Sequence, residues 1–175
     1  MTKFYAYTVG LCAVLLMAGC TKEDSDQAKP TPTSKLTAKE AMLTAKSWRI
    51  TAISATATIT ADGISPITTS FDGYALLTSC QKDNFAKYTI DKTIVADEGA
   101  TKCSATDPQT QIYKWSLNAD ETEMTVSGKV NGADHTEKVE ILQLTPTTMQ
   151  VRTTTVLRQL DVTSTTKATT TYAAF

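Results

Sequence analysis

Hydrophobic and polar residues alternate with a period of two along most of the chain after Trp48. β-branched residues, threonine above all, are frequent in these segments, and both features are typical of β-strands. The pattern predicts about eight strands, at residues 48–60, 85–91, 93–97, 111–117, 122–130, 133–144, 148–157 and 162–172. Asn131-Gly132 is the dipeptide of a type I′ turn and predicts a tight hairpin between two of these strands.

The segments around the first strand follow a different pattern. Thr37 and Glu40 have the spacing of a capping box, which predicts one short helix that ends near Lys46. Pro66 predicts that the stretch after the first strand is irregular. Residues 71–80 have the spacing of a helical turn.

Short connections join most of the predicted strands, so each strand is expected to pair with the next one along the chain. Closure of such a meander into an up-and-down antiparallel barrel removes its exposed edges. We therefore predict an all-β fold, a barrel of about eight strands with one short N-terminal helix. A barrel of this size holds either its own side chains or one small ligand. The alternative is a β-sandwich, which usually needs longer crossovers.

The N terminus carries an apolar run that indicates where the protein is located. Lys3 precedes the apolar residues 4–17, and the small pair Ala18-Gly19 follows them, which is the pattern of a secretory signal peptide. Cys20 comes next, and the segment resembles a bacterial lipobox, whose cysteine is lipidated and becomes the mature N terminus. Residues 1–19 are thus expected to be a signal peptide. An ordinary signal peptide followed by a chance cysteine is the alternative.

Residues 20–35 are polar, contain two prolines, and are expected to form a flexible tether after the lipidated Cys20. The acidic residues that follow Cys20 resemble the export signal of surface lipoproteins in some Gram-negative bacteria, and a solvated linker is the alternative. Residues 36–175 then form the one domain. We expect the protein to be anchored to the outer membrane by its lipid, with exposure at the cell surface as one option.

Composition narrows the function classes. The formal net charge is −1, without a clustered basic segment, so a nucleic-acid partner is not expected. His135 is the only histidine and no Cys-x-x-Cys pair occurs, so neither a metal site nor a nucleophile–histidine site is expected. We predict no enzymatic activity and no cofactor.

Two cysteines remain in the predicted domain, Cys80 and Cys103. An exported protein reaches an oxidising compartment, where a pair of cysteines favours a disulfide. Two separate buried thiols are the alternative.

Several segments together resemble the lipocalin-like domain family of Gram-negative surface lipoproteins. They are Trp48, Cys80-Gln81-Lys82-Asp83-Asn84, Asp97-Glu98-Gly99-Ala100-Thr101-Lys102-Cys103, Asp107-Pro108-Gln109 and Trp115-Ser116-Leu117. The resemblance implies a calycin-type barrel with a helix near one end, and no established reaction. It also implies that Trp48 closes one end of the barrel beneath a basic side chain of a late strand, for which Arg152 and Arg158 are the candidates.

The Asn131-Gly132 turn sets the register of its hairpin. A two-residue loop places Gly128 opposite His135, Val126 opposite Glu137 and Met124 opposite Val139, and paired residues share one face of a sheet. His135 and Glu137 then face the barrel interior, or water if the hairpin tip projects beyond the barrel. A bulge near Ile141 would bring the following leucines into phase. The predicted interior residues are Ile50, Tyr88, Ile90, Trp115, Leu117, Met124, Val126, Val139, Met149 and Val151.

These observations lead to two hypotheses for the function. The first is a lipid-anchored envelope protein whose barrel binds a small hydrophobic ligand, with Tyr88, Trp115, Met124, His135, Glu137 and Met149 as candidate ligand-binding residues. The second is a filled barrel that serves as an accessory or interaction module of a surface protein complex. A cavity of about 300 Å³ or more with convergent polar groups favours the first hypothesis. A closed core with an exposed apolar patch favours the second.

Overall fold

A closed barrel of antiparallel strands forms the body of the protein. The computed structural model describes residues 36–130 and 132–175. Its elements are α1 (Ala38–Thr44), β1 (Ser47–Ala61), β2 (Ile64–Asp72), α2 (Ser79–Lys82), β3 (Phe85–Tyr88), β4 (Thr93–Asp97), β5 (Thr110–Leu117), β6 (Glu123–Val130), β7 (Ala133–Leu144), β8 (Thr148–Gln159) and β9 (Val162–Ala174). The expected signal peptide, the lipidation of Cys20 and the tether lie outside the described residues.

Eight strands make the barrel wall, in the order β1, β3, β4, β5, β6, β7, β8 and β9, and β9 pairs back onto β1. All neighbours are antiparallel, so the predicted fold class is confirmed. The ninth strand, β2, pairs with the second half of β1, from Ser54↔Asp72 to Ala61↔Ile64. Strand β2 thus extends the sheet along the part of β1 that lies beyond its pairing with β3.

The expectation of an irregular segment at Pro66 is wrong, because β2 runs through this residue. The register of the hairpin slips between the pairs Ile59↔Ile67 and Ala61↔Ile64, which places Pro66 at the irregularity. The strand is also at the edge of the sheet. A proline is tolerated in a strand at a bulge or an edge, since its missing N–H is not needed there.

Helix α1 packs against one end of the barrel and closes it. Thr37 caps the helix, and the reciprocal contacts with Glu40 make the predicted capping box. The most deeply buried residues lie toward this end, and those at most 2 % exposed are Leu43, Trp48, Trp115, Met124 and Met149. The Trp48 Nε1–H donates a hydrogen bond to the Leu43 carbonyl oxygen over 2.9 Å, so the first strand and the helix are tied together.

The burial of Trp48 confirms one prediction, but the basic partner expected for its ring is wrong. Arg152 lies on the outside of the barrel, where its Nη1 is 3.2 Å from the Glu140 carboxylate. A different cation, Lys92, lies at the closed end over the ring of Trp115. Arg158 lies near the far end of β8 and is exposed.

The register predicted for the β6–β7 hairpin is confirmed from Met124↔Val139 to Val130↔Ala133. The predicted bulge is also present, because the β7–β8 register shifts between Ile141 and Gln143. The assignment of Ile90 to the interior is wrong, since its side chain is 71 % exposed. Strand β3 ends at Tyr88, and the chain turns through Lys92 at a positive φ of 63° before β4 begins.

A disulfide joins Cys80 of α2 to Cys103, with 5.2 Å between their Cα atoms, which confirms the expected pairing. The loop that carries Cys103 is held close to the end of α2. Thr101 N–H donates to the Asp83 carboxylate over 2.9 Å. Gly99 has φ +70°, and a Cβ there would lie 2.4 Å from the Asp83 carbonyl oxygen, so only glycine fits this contact.

Neither of the two helices in the described residues is long and apolar enough to span a bilayer.

Candidate functional site

Above the buried core, the barrel interior opens into a cavity of about 330 Å³. Its apolar wall is formed by Ile94, Met124, Val126, Val139, Met149 and Val151. Its polar groups belong to Tyr88, Tyr113, Ser127, His135, Glu137 and Tyr172. The barrel is therefore filled by side chains only at the end that α1 closes.

Five of the six candidate ligand-binding residues line this cavity. Tyr88, Met124 and Met149 are buried and belong to the part next to the core, whereas His135 and Glu137 are exposed at the mouth. Both alternatives for the hairpin tip are therefore partly correct. His135 and Glu137 face the barrel interior, but at a level where they are exposed to solvent.

Trp115 does not line the cavity, so its assignment to the binding site is corrected. Its ring packs edge-on against Tyr88, with 5.7 Å between the ring centroids. The Lys92 ammonium covers the ring at 4.3 Å from its centroid. Trp115 is thus part of the closed end, one layer below the cavity.

Tyr113 and Tyr172 also line the cavity, although neither was among the candidate residues predicted from the sequence. A signal for Tyr113 was available, because it precedes Trp115 by two residues on β5 and so shares its face. Tyr172 lies on β9 and pairs with Met149 and with Ile50. Because β9 is rich in threonine, no clear alternation of apolar and polar residues assigns this position to the barrel interior.

The surroundings of Tyr172 and Tyr88 raise the pKa values of their hydroxyls further above physiological pH. Burial raises the pKa of Tyr172 to about 12, and the negative charge of Glu137 adds to the effect. Burial raises the pKa of Tyr88 as well, with a smaller contribution from Tyr172. Both hydroxyls are therefore neutral hydrogen-bonding groups at physiological pH.

A second cavity of about 320 Å³ lies beside the first and shares Tyr113 and Tyr172 with it. Its other walls include Phe85 and Ala86 of β3 and Gln109 from the segment that follows the disulfide loop. The two tyrosine rings therefore stand between the two compartments. Asn84, Glu98 and Gln109, which lie on either side of the disulfide loop in sequence, line the second compartment and not the first.

Gly128 allows one of these rings to lie against the sheet. It pairs with Tyr113 on one side and with His135 on the other. A Cβ at this position would lie 2.6 Å from Tyr113 Cδ1. Any side chain here would push the Tyr113 ring into the space of the cavity.

The charge at the cavity is acidic. Glu137 is the one carboxylate in the lining, and neither lysine nor arginine occurs among the described lining residues. A ligand carboxylate placed at the mouth would therefore meet a like charge, whereas a hydroxyl would find acceptors and donors. The described residues also contain no group of three His, Cys, Asp or Glu side chains that is placed to hold a metal ion.

Comparisons with known proteins assign no family. No family model matches the chain, and no curated protein matches it significantly. Among solved structures, a polyisoprenoid-binding domain from Saccharophagus degradans, implicated in plant cell wall breakdown, is similar with a TM-score of 0.35 and 7 % identity. The similarity covers 73 % of this chain and 98 % of that chain. At this TM-score it supports no conclusion about fold or ligand.

Proposed function

We propose that the protein binds one small, largely apolar ligand in the cavity of its barrel and carries out no reaction on it. The observation that carries the proposal is the cavity itself, about 330 Å³ with an apolar wall and convergent tyrosine, histidine and carboxylate groups. Ligand sites in proteins usually occupy roughly 300–1,000 Å³ and combine apolar walls with a few polar groups. The cavity is thus large enough for a ligand but near the lower limit.

The second hypothesis, a filled barrel that acts as an interaction module, receives its support from a different part of the molecule. Ile67, Ile59 and Leu157 lie in one row across the extension of the sheet and are 62 %, 45 % and 63 % exposed. Exposed apolar patches often mark interaction surfaces. The cavity favours ligand binding as the main role, and the row of apolar residues keeps a protein partner as the second candidate.

The ligand we propose has an uncharged polar end. Glu137 at the mouth disfavours a carboxylate or a phosphate there by charge repulsion. The tyrosine hydroxyls, the His135 ring and the Glu137 carboxylate offer both donors and acceptors to a hydroxyl group. A lipid alcohol or a similar neutral amphiphile fits this arrangement better than a fatty acid.

The place of action that we propose is the outer membrane, with Cys20 as the lipidated anchor and the polar segment after it as the tether. This proposal rests on the sequence of the N terminus. Its test is the Cys20→Ser variant, which should lose acylation and move from the membrane fraction to the soluble fraction. Retention in the membrane with a normally processed mass would contradict the anchor.

The test of ligand binding uses a neutral fluorescent probe, N-phenyl-naphthylamine, titrated into the purified full-length protein. Val126 lines the cavity, whereas its neighbour Thr125 alternates to the outer face of β6. Val126→Trp should fill the cavity and weaken probe binding by about tenfold or more, while Thr125→Trp serves as the matched control. The proposal would be refuted if both variants bound the probe with equal affinity, or if the natural protein did not bind it.

A further inference from the structure

The barrel wall is not hydrogen-bonded along its whole height. Strands β7 and β8 pair from Leu144↔Met149 to Glu140↔Arg152, and the ladder between them ends there. Both strands continue well beyond this point, β7 paired with β6 up to Val130↔Ala133 and β8 paired with β9 up to Gln159↔Val162. Within the described residues, segments 133–139 and 153–159 therefore have no ladder between them. We call this gap the β7–β8 seam.

An open cleft of about 600 Å³ occupies the seam. Its walls are residues 135–138 of β7 and residues 154–156 of β8. His135 and Glu137 line this cleft and also line the interior cavity. The cleft and the cavity thus meet at these two side chains, so the seam leads from the outside of the barrel to its interior.

The residues of the seam explain why it stays open. His135 and Glu137 point inward from β7, and inward-pointing charged or polar residues are a known protection of strand edges against pairing. The opposite edge, β8, carries Thr154 and Thr155, which are both exposed. At the lower limit of the seam, the Arg152–Glu140 ion pair, with 3.2 Å between Nη1 and the carboxylate, joins the two strands on the outside. The gap therefore begins at a defined point of the wall.

The same residues argue against a strand of another protein as the occupant of the seam. A strand inserted there would gain backbone hydrogen bonds but would cover His135 and Glu137 and remove them from water. A ligand whose polar end lies between these side chains leaves them solvated. The charges therefore favour a small amphiphile over a peptide strand.

We propose that the β7–β8 seam is a lateral portal, through which an amphiphile inserts its apolar chain into the cavity while its uncharged head stays beside Glu137. The proposal rests on the proposed function, since it concerns the same ligand. It adds the route of binding and the shape of the ligand.

The experiment closes the seam with a covalent link. Continuation of the ladder beyond Glu140↔Arg152 would place Lys138 opposite Thr154 on the outer face. Lys138→Cys and Thr154→Cys are combined in the full-length protein and joined by a photocleavable bis-maleimide, which leaves the Cys80–Cys103 disulfide intact. The control pair is Ser116→Cys with Thr125→Cys, which are direct partners on the outer face where β5 and β6 are fully laddered.

The readout is the association rate of a fluorescent long-chain alcohol, measured by stopped flow. The link across the seam should slow association by at least about tenfold, and photocleavage should restore the rate, whereas the control link should change it less than about twofold. Thr155→Trp, a single change at an exposed position in the cleft, gives a second measurement that needs no crosslink and should slow association in the same direction.

The outcomes separate the two proposals. Absence of binding before any link is made would refute the proposed function, and the portal with it. Normal binding with an association rate that neither the completed link nor Thr155→Trp changes would overturn the portal and leave the cavity as the binding site. If an unlabelled peptide strand bound the seam saturably and slowed the association of the alcohol, a peptide strand and not the amphiphile would be the occupant of the seam.

Discussion

The Lys92 ammonium lies 4.3 Å from the centre of the Trp115 ring and also forms an ion pair with Glu40 of α1. One side chain therefore connects the helix, the turn after β3 and the aromatic floor of the barrel. The pKa of Glu40 is held below its ordinary value, chiefly by its hydrogen bond with Lys92 and then by its bond to the Thr37 backbone. The contact attaches α1 to the end that it closes.

Substitution of Lys92 by glutamine should weaken this attachment. The variant loses the cation over Trp115 and the charge opposite Glu40, and we expect the free energy of unfolding to fall by about 1–2 kcal/mol. Lys87→Gln, on the exposed side of β3, is the matched control and should change it by less than about 0.5 kcal/mol. Equal urea denaturation midpoints for the two variants would show that the Lys92 contact contributes nothing to stability.

Replacement of Trp48 tests the closed end more severely. The ring is 1 % exposed and its N–H binds the Leu43 carbonyl, so Trp48→Ala leaves a cavity and an unsatisfied acceptor. We expect a loss of roughly 3–5 kcal/mol. Trp48→Phe keeps most of the apolar contact and should cost less, because it lacks chiefly the hydrogen bond. An unchanged melting temperature for Trp48→Ala would show that this end is not the core.

Alkaline titration tests the burial of Tyr172. Its pKa is raised from 10.0 to about 12 in the folded protein, first by burial and then by Glu137. Between these pH values the unfolded chain has lost a proton that the folded chain still holds, so the free energy of unfolding falls as the pH rises, by up to about 1.4 kcal/mol per pH unit. Tyr172→Phe should flatten this decline above pH 10 and leave it unchanged below pH 9. A decline of the same steepness in both proteins would contradict the buried position of the hydroxyl.

Local signals in the sequence were sufficient for most of the strands, because alternation and turn residues are properties of short segments. The β6–β7 register followed from Asn131-Gly132 alone, and it placed His135 and Glu137 on the inner face. Strand β2 was not predicted, since Pro66 disfavours a strand in general and only tertiary pairing shows that it lies at an edge irregularity. Proline disfavours strands in general, but the edge position of β2 and its irregular pairing with β1 accommodate Pro66.

The cavity depends on relationships that no short segment contains. Tyr113 and Tyr172 are far apart in sequence, and they meet only because β9 closes the barrel onto β1. The seam likewise arises because the β6–β7 and β8–β9 hairpins extend further than the ladder between β7 and β8. Trp115 was assigned to the binding site because its side chain was expected to face the barrel interior. Its position along the barrel axis, at the closed end, was not predictable from the alternation of residues on β5.

Gly128 provides a test of the cavity that removes none of its polar groups. A side chain at this position would meet the Tyr113 ring, so Gly128→Val should drive the ring into the cavity and reduce its volume. We expect the affinity for a neutral fluorescent probe to fall by about tenfold, while the strand itself accepts valine readily. Thr125→Val on the outer face of the same strand is the control. Equal affinities in both variants would place the probe outside this cavity.

The final prediction concerns the head group of the ligand, and it uses a long-chain alcohol and the fatty acid of the same chain length. Glu137 is the one carboxylate among the lining residues described, so the natural protein should bind the alcohol more tightly than the acid at neutral pH. Two like charges about 4 Å apart in water repel by about 1 kcal/mol, which corresponds to roughly a fivefold difference in affinity.

Glu137→Gln removes this charge and keeps the size of the side chain. The variant should bind the acid about fivefold more tightly and the alcohol with nearly unchanged affinity. Glu140→Gln makes the same change of net charge on the outer face of the same strand, where the carboxylate pairs with Arg152, and it should not alter the preference. If both variants shift the affinity for the acid equally, the selectivity arises from the net charge of the protein. If neither does, the head group does not lie beside Glu137.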